Sequence, residues 1–383
     1  MPALLTKREE EIHEYAKSFA VEHLAPRAEL WEENADLTGE ARRLLMDNGF
    51  FGVGSPVELG GKGYSYLETA LTYEGLAYGD GGIAFFVQLH NNIAFEIATF
   101  YDTSEKVKAL APAMIRGEKL TCFALSEVSG GSDPQMTTSY AEAVDDGYHI
   151  YGSKEFASNS LDADYFNVMV RDGTPKGMLM LLVEKETPGF VVGADRKRIG
   201  GNVMSCGTLL FDNAFVPREN LLSADGFREA LRAIDVARVF VPAIAVGVAQ
   251  RALDITSDYL AKRVTFGAPI LKSQAVQWQL ADLTALVHAA RWTAYHTASL
   301  MDSGARITTK AAINKLFGPD VALRVTSECA QLFGAIGCDW NSEITRCVNM
   351  ARLMKVLDGT SEVQKMVIAR SIEKETFARV GRV

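Results

Sequence analysis

Cysteine is scarce and unpaired in this chain. Five thiols, Cys122, Cys206, Cys329, Cys338 and Cys347, are spread over 383 residues without a CxxC pair. Neither a disulfide framework nor a zinc site is signalled, so idle thiols in a reducing compartment are expected. Six histidines lie scattered, and with no HExxH among them no metal site is expected. Long apolar runs are missing too: no uncharged stretch reaches the ~18 residues that suggest a membrane span. The opening MPALLTKREEEIHEYAK is charged from Lys7 onward. It lacks the apolar segment of a secretory signal, so a cytoplasmic location is expected. An excess of positive charge is also absent, with 39 Lys and Arg against 48 Asp and Glu and a formal charge of −9. That balance argues against a nucleic-acid coat and against a polybasic membrane anchor. A local cationic pocket for a small anionic ligand stays open.

The common nucleotide and hydrolase signatures are missing as well. There is no GxxxxGK[ST] phosphate loop, no GxGxxG opening a βαβ unit and no GxSxG elbow, which leaves P-loop, Rossmann and α/β-hydrolase readings unsupported. No internal repeat or low-complexity tract is present. What the chain does hold is apolar bulk: 48% hydrophobic residues, 19 Phe and 12 Tyr against 23% charged residues. That composition excludes disorder, and at ~150 residues per domain the length suggests two or three domains.

The texture changes twice along the chain. Up to about Lys119, apolar residues recur at helical spacing, as in Ile12, Tyr15, Ala16, Phe19 and Ala20, with breaks at Gly49, Gly54-Ser55-Pro56 and Gly60-Gly61-Lys62-Gly63. Helices are expected over Leu67–Tyr78, His90–Phe100 and Glu105–Ile115. From Leu120 to Leu222 short β-rich runs follow, at Tyr148–Tyr151, Phe166–Val170 and Met178–Val183, separated by Asp-Gly, Thr-Pro and Pro-Gly. With no long helix between them, an antiparallel barrel or sandwich is expected. After Asp225 the helical period returns over Phe227–Ala261, Gln274–Asp302, Ala305–Phe333, Ser342–Val356 and Ser361–Val380, which predicts a bundle. The expected domains are residues 1–119, 120–223 and 224–383.

Three stretches carry candidate chemistry. Leu125-Ser126-Glu127-Val128-Ser129-Gly130-Gly131-Ser132-Asp133 offers hydroxyls and glycines that let backbone N–H groups approach a ligand, although an ordinary turn explains it equally well. Its sequel Lys154-Glu155-Phe156-Ala157-Ser158-Asn159 sets an aromatic plane beside a hydroxyl. Arg263-Val264-Thr265-Phe266-Gly267, followed by Gln274, is a hinge with one cation, or an ordinary helical hairpin. Gln331-Leu332-Phe333-Gly334-Ala335-Ile336-Gly337 precedes Asp358-Gly359-Thr360-Ser361-Glu362, where helix capping competes with acid–base work as the role of the carboxylate.

Taken in order, these residues resemble the acyl-CoA dehydrogenase family of flavoproteins over essentially the whole chain. They are similar to the family's TEPxAGSD loop, WxTN strand, RxxFG hinge, QxxGGxG turn and carboxylate–Gly–Thr segment. Pro56-Val57-Glu58-Leu59-Gly60-Gly61 and Phe215-Val216-Pro217-Arg218-Glu219-Asn220 also fall in family order. The resemblance implies an α+β architecture with an N-terminal helical domain, a middle antiparallel β-barrel and a C-terminal four-helix-type bundle. It implies one FAD per subunit, an acyl-CoA substrate, electron-transfer flavoprotein as acceptor, and a homotetramer, a dimer of dimers, in which a neighbouring subunit completes the FAD site.

The resemblance also implies roles for single residues. Phe123, Leu125, Ser126, Ser132, Phe156 and Ser158 match positions beside the isoalloxazine ring. Arg263, Phe266, Gln274 and Gln331 match the ADP half, and Thr360 and Glu362 match further FAD contacts. Ala335 stands where the second glycine of a GG pair is usual. Ser132, Asp235 and Arg238 match positions near the substrate. Asp358 stands where the family usually has Glu, the base that removes a Cα proton while hydride leaves Cβ for the flavin. The side chain is shorter by one C–C bond, about 1.5 Å. Three readings follow: Asp358 is the base, or the site serves a related reaction such as nitroalkane oxidation, or the base lies elsewhere. The alternative base position of some relatives holds Ala237 here, which favours Asp358. The expected activity is α,β-dehydrogenation of an acyl-CoA, branched or cyclic groups included. The alternative is an enoyl-CoA reductase, desulfinase-like or nitroalkane oxidase-like flavoprotein.

Overall fold

The computed structural model describes residues 5–34 and 39–381. Seven helices come first: α1 (Lys7–Phe19), α2 (Ala28–Asn34), α3 (Glu40–Asp47), α4 (Tyr66–Gly79), α5 (Gly81–Thr99), α6 (Glu105–Lys108) and α7 (Ala111–Ile115). Capping chemistry sets where they begin. Thr6 with Glu9 opens α1, and Ser65 with Glu68 opens α4, each pair satisfying two N–H groups that the helix cannot.

Eight strands follow: β1 (Thr121–Ala124), β2 (Tyr140–Val144), β3 (Gly147–Ser158), β4 (Tyr165–Arg171), β5 (Met178–Glu184), β6 (Phe190–Val192), β7 (Cys206–Pro217) and β8 (Leu221–Ser223). They pair in the order β6-β7-β3-β2-β4-β5-β8, with β1 beside β4. This departs from the expected antiparallel barrel in two ways. β1 runs parallel to β4, from Thr121 opposite Tyr165 to Ala124 opposite Val168, and β2 meets β4 in a parallel pair at Tyr140 and Arg171. β1 enters directly from the helical segment, so no hairpin turn dictates its direction. Among the described residues, β6 and β8 are the ends of the sheet and no pairing closes it.

The alternation of β4 and β5 decides what the sheet packs against. Phe166, Val168, Val170, Leu179, Leu181 and Val183 face one apolar cluster within the sheet. Their neighbours Met169, Met178, Met180 and Leu182 face a second cluster shared with Ile93, Ile97 and Met114 of α5 and α7. Period-2 patterning with both faces apolar thus docks the sheet on the helices.

The chain then forms α8 (Gly226–Lys262), a two-residue ribbon of β9 (Val264–Thr265) and β10 (Ala268–Pro269), and α9 (Gln274–Asp302), α10 (Thr308–Leu332), α11 (Glu343–Met354) and α12 (Ser361–Val380). The expected C-terminal helical bundle thus consists of five helices, α8 to α12. The N-terminal and C-terminal helices share one core, in which Phe19, Leu71, Leu76 and Phe86 pack with Val239, Ile244, Val325 and Met350. Helix α8 is its axis and packs on α4, α5, α9, α10 and α11. No helix of the described residues is long and apolar enough to cross a membrane.

Close approach at α8 depends on glycine. A Cβ on Gly247 would sit 2.3 Å from the Glu74 carbonyl oxygen of α4. Gly247→Ala is expected to lower unfolding free energy by about 1–3 kcal/mol through overpacking, measured by denaturant titration.

Candidate active site

The first group of candidate residues is assembled by β1 and β3. Glu155 N–H donates to the Ser126 carbonyl at 2.8 Å, which joins the Ser/Gly loop to the strand bearing Phe156 and Ser158. The register of β3 against β7 shifts between Lys154 and Ala157. That bulge puts Phe156 at φ 55° and turns its ring outward, 62% exposed. Arg196 stands over the Phe156 ring at 5.2 Å from its centroid. The hydroxyls of Ser126 and Ser158 make no hydrogen bond among the described residues. Gly130 faces open space, and Ser132 lies exposed on the same loop.

One buried ion pair underpins this loop. Lys154 Nζ donates to Glu127 Oε1 at 2.6 Å, with both side chains sealed from solvent. Lys154 also reaches the Leu125 carbonyl at 3.3 Å. Glu127 Oε2 accepts from Thr138 N–H and Oγ1, both at 2.6 Å. Burial alone would lift the Glu127 carboxyl, but the Lys154 ammonium and the Thr138 donors overcome it and hold it at about 2.

The second group surrounds Asp358, in the turn between α11 and α12. Asp358 adopts φ 52°, left-handed backbone that Asp tolerates better than most residues, and Gly359 follows at φ 97°. Its carbonyl oxygen accepts from Arg238 Nε at 3.2 Å. Arg238 Nη1 donates to Asp235 Oδ1 at 3.0 Å, and Asp235 Oδ2 accepts from Thr308 Oγ1 at 3.0 Å. Arg238 is buried at 6% exposure. The Arg238–Asp235 pair is therefore one link in a chain of bonds that ends on the Asp358 backbone. Asp358 itself is half-buried, while its Oδ2 is sealed and has no hydrogen-bond partner among the described residues. Burial raises the carboxyl above its usual range, opposed by the charges of Lys315 and Arg238. The Asp358 N–H donates to no group among the described residues. Thr360 Oγ1 accepts from Val363 N–H and starts α12, so the capping role foreseen for this segment is filled by Thr360.

The remaining candidates stand apart. Phe266 at φ 51° and Gly267 at φ 83° form the tip of the β9–β10 ribbon, as a two-residue hairpin of this length requires. Arg263, Phe266 and Gln274 are exposed there. Gln331, Ala335 and Glu362 are exposed at the ends of α10 and α12. Among the described residues no hydrogen bond ties these to the Phe123–Leu125–Ser126 group or to Asp358.

Sequence reasoning missed Glu96. It is 2% exposed, its Oε1 has no partner among the described residues, and its Oε2 accepts from Tyr101 OH at 3.3 Å. Burial pushes it up to about 8, a shift opposed by Arg232 and reinforced by Glu229 and Asp358. The available signal was a lone carboxylate in the apolar run of α5. A cavity of about 230 Å³ opens between α4, α5 and α8, with Tyr66, Thr69, Asn92, Phe95 and Phe240 in its wall. The Tyr66 and Thr69 hydroxyls and the Asn92 amide make no hydrogen bond among the described residues.

Sequence models of the acyl-CoA dehydrogenase N-terminal, middle and C-terminal domains match residues 6–118, 122–214 and 224–373. The chain is 31% identical to a mitochondrial isobutyryl-CoA dehydrogenase of Dictyostelium discoideum, over 97% of this chain and 90% of that one. It is 32% identical to an acryloyl-CoA reductase (NADH) of Anaerotignum propionicum, over 97% and 95%. A solved structure of acyl-CoA dehydrogenase complexed with FAD from Bacillus anthracis superposes with a TM-score of 0.92 at 26% identity, over 99% of this chain and 69% of that one.

Removing one partner of the buried pair strands the other. Glu127→Ala is expected to cost about 3–5 kcal/mol of stability, read from urea unfolding at pH 7. The sign of its pH dependence follows from a depressed carboxylate. The contribution of the pair is complete above pH ~4.3, the unfolded value, and is lost as pH falls through about 2.

Proposed function

The chain belongs to the acyl-CoA dehydrogenase family, and from that premise we propose that Asp358 is the base that takes the α-proton of an acyl-CoA in an FAD-dependent dehydrogenation. The observation that carries this reading is the pairing, in one residue, of a sealed carboxylate oxygen and an unused backbone N–H. An α-proton of a thioester is too weakly acidic for a carboxylate in water. Burial raises the affinity of Asp358 for the proton, and its free N–H suits the negative charge that develops on the thioester oxygen. Arg238, fixed by Asp235, holds the Asp358 backbone in place from α8. The left-handed turn sets the direction of the shorter side chain.

The residues fit the cofactor. Two unpaired hydroxyls at Ser126 and Ser158 and the outward ring of Phe156 suit a flat heteroaromatic group. Gly267 and Gly334 face open space near the Arg263 cation and Gln331, which suits a pyrophosphate and adenosine. Bound FAD supplies the acceptor for the Cβ hydride. The exposure of Arg263, Phe266 and Gln274, away from the first group, supports a site completed by a second subunit. Phe266, Trp278, Trp340, Met366 and Phe377 are exposed apolar residues that burial between subunits would cover, which supports the homotetramer. The family resemblance supports electron-transfer flavoprotein as the acceptor.

For the acyl group we favour a short, branched or ring-bearing chain with a polar function. The cavity beside Phe95 offers three unpaired polar groups, and Asp302 in its wall disfavours an anionic tail. The acryloyl-CoA reductase relative favours a second reading, the same site working in the reducing direction.

An anaerobic acyl-CoA panel tests both readings. Bleaching of the flavin by a saturated thioester supports dehydrogenation, reoxidation of reduced enzyme by enoyl-CoA alone supports reduction, and no response to either overturns both. Asp358→Asn is expected to slow bleaching by 10²–10⁴-fold or more, with FAD retained. Light scattering is expected to give four copies of the 41.8 kDa chain; a monomer that holds FAD would remove the shared site.

A further inference from the structure

Lys315 is placed on α10 with its side chain toward the Asp358 turn. It is 1% exposed, and its ammonium reaches three carbonyls: Met354 at 2.9 Å, Gly359 at 3.1 Å and Lys355 at 3.5 Å. An ammonium has three donors, so these contacts engage all of them. Two of the acceptors end α11, where a cation is favoured by the helix dipole, and the third directly follows Asp358. Gln364 Nε2 shares the Gly359 carbonyl at 2.9 Å. The turn carrying Asp358 is therefore clamped on both sides by one amine.

The charge of Lys315 is as distinctive as its bonds. Arg238, the other cation facing Asp358, is paired with Asp235 at 3.0 Å. Lys355 and Asp320, which face Lys315, pair with each other at 2.6 Å. Glu96 on α5 lies within electrostatic reach of Asp358, and burial pushes its carboxyl up to about 8, which favours its neutral form. Lys315 has no carboxylate within 4 Å among the described residues. Among the described residues it is thus the cation near Asp358 that has no direct carboxylate partner. Burial depresses Lys315 to about 8, and Asp358 is the first charge that opposes that shift.

We propose that Lys315 is the positioning residue of Asp358: its buried ammonium clamps the 354–359 turn and, having no direct carboxylate partner, supplies positive charge that keeps the Asp358 carboxyl ionised. This rests on the reading of Asp358 as the base. With one oxygen sealed from water, the carboxyl would otherwise favour its protonated form, which cannot accept a proton from the substrate. The arrangement separates two tasks, because Arg238 fixes the backbone while Lys315 sets the charge.

The test is the pH profile of flavin bleaching by a saturated acyl-CoA under anaerobic conditions. Lys315→Met removes the charge and keeps the length, and Lys315→Arg keeps the charge. In Lys315→Met the acid limb is expected to move to higher pH by about one unit or more, with FAD absorbance retained. In Lys315→Arg the limb stays near that of the native enzyme even where the rate falls. A Lys315→Met limb that coincides with the native one overturns the proposal. If Lys315→Met does not fold, the charge coupling is read without it, by ¹⁵Nζ lysine resonances in native and Asp358→Asn protein. The Lys315 ammonium is expected to titrate lower once Asp358 is neutral, and a titration indifferent to Asp358→Asn overturns the proposal. The charge coupling can be judged even if no acyl-CoA bleaches the native flavin, because the resonance experiment needs no substrate. That outcome would sink the dehydrogenase reading alone.

Discussion

Withdrawing a carboxylate from water is the constraint on which this molecule turns. In a low-dielectric pocket the neutral acid is favoured, and only nearby positive charge and donors reverse that preference. Glu127 and Asp358 meet the problem in two ways. At Glu127 the solution is direct contact, with Lys154 at 2.6 Å and Thr138 donating twice, and the carboxylate is locked. At Asp358 the cations are bonded to backbone carbonyls, so the carboxylate oxygen Oδ2 stays free of partners among the described residues. The first arrangement suits a structural anchor. The second leaves an oxygen available to accept a proton.

Holding two cations near Asp358 without letting them touch it requires the helices that bear them to be fixed. Arg238 comes from α8 and Lys315 from α10, and these two helices pack along much of their length. At their crossing a Cβ on Gly318 would lie 2.8 Å from the Pro242 Cβ, so the approach leaves no room for a side chain. The sheet is joined to this framework through the outward methionines of β4 and β5. The Ser126 and Phe156 group and the Asp358 turn therefore belong to one packed body although they come from different layers.

Much of this was legible in the residues. Helix positions such as Gln274–Asp302 and Ser361–Val380 match the observed elements because apolar periodicity and caps mark them locally. The sheet was legible as strands but not as topology. The parallel docking of β1 on β4 depends on where the helical segment releases the chain, which no local pattern encodes. At the site, Asp358, Arg238 and Ser126 stood out through motif order. Lys315 and Glu96 did not, because each sits in an ordinary helical period, and their significance comes from what surrounds them after folding. Exposure was also invisible: Phe266 and Gln331 read as ligand contacts, yet in a single chain they face outward.

The central position of α8 has a bearing on how such a site diversifies. Its middle section is enclosed by α4, α5, α9, α10 and α11, so an exchange there disturbs several neighbours at once. The cavity walls on α4 and α5 are different, since the Tyr66 and Thr69 hydroxyls and the Asn92 amide have no hydrogen bonds among the described residues to forfeit. Exchanges on these two shorter helices can therefore reshape the cavity while the bonds around Asp358 stay untouched. The residues free to vary and the bonds that hold the Asp358 turn belong to different elements.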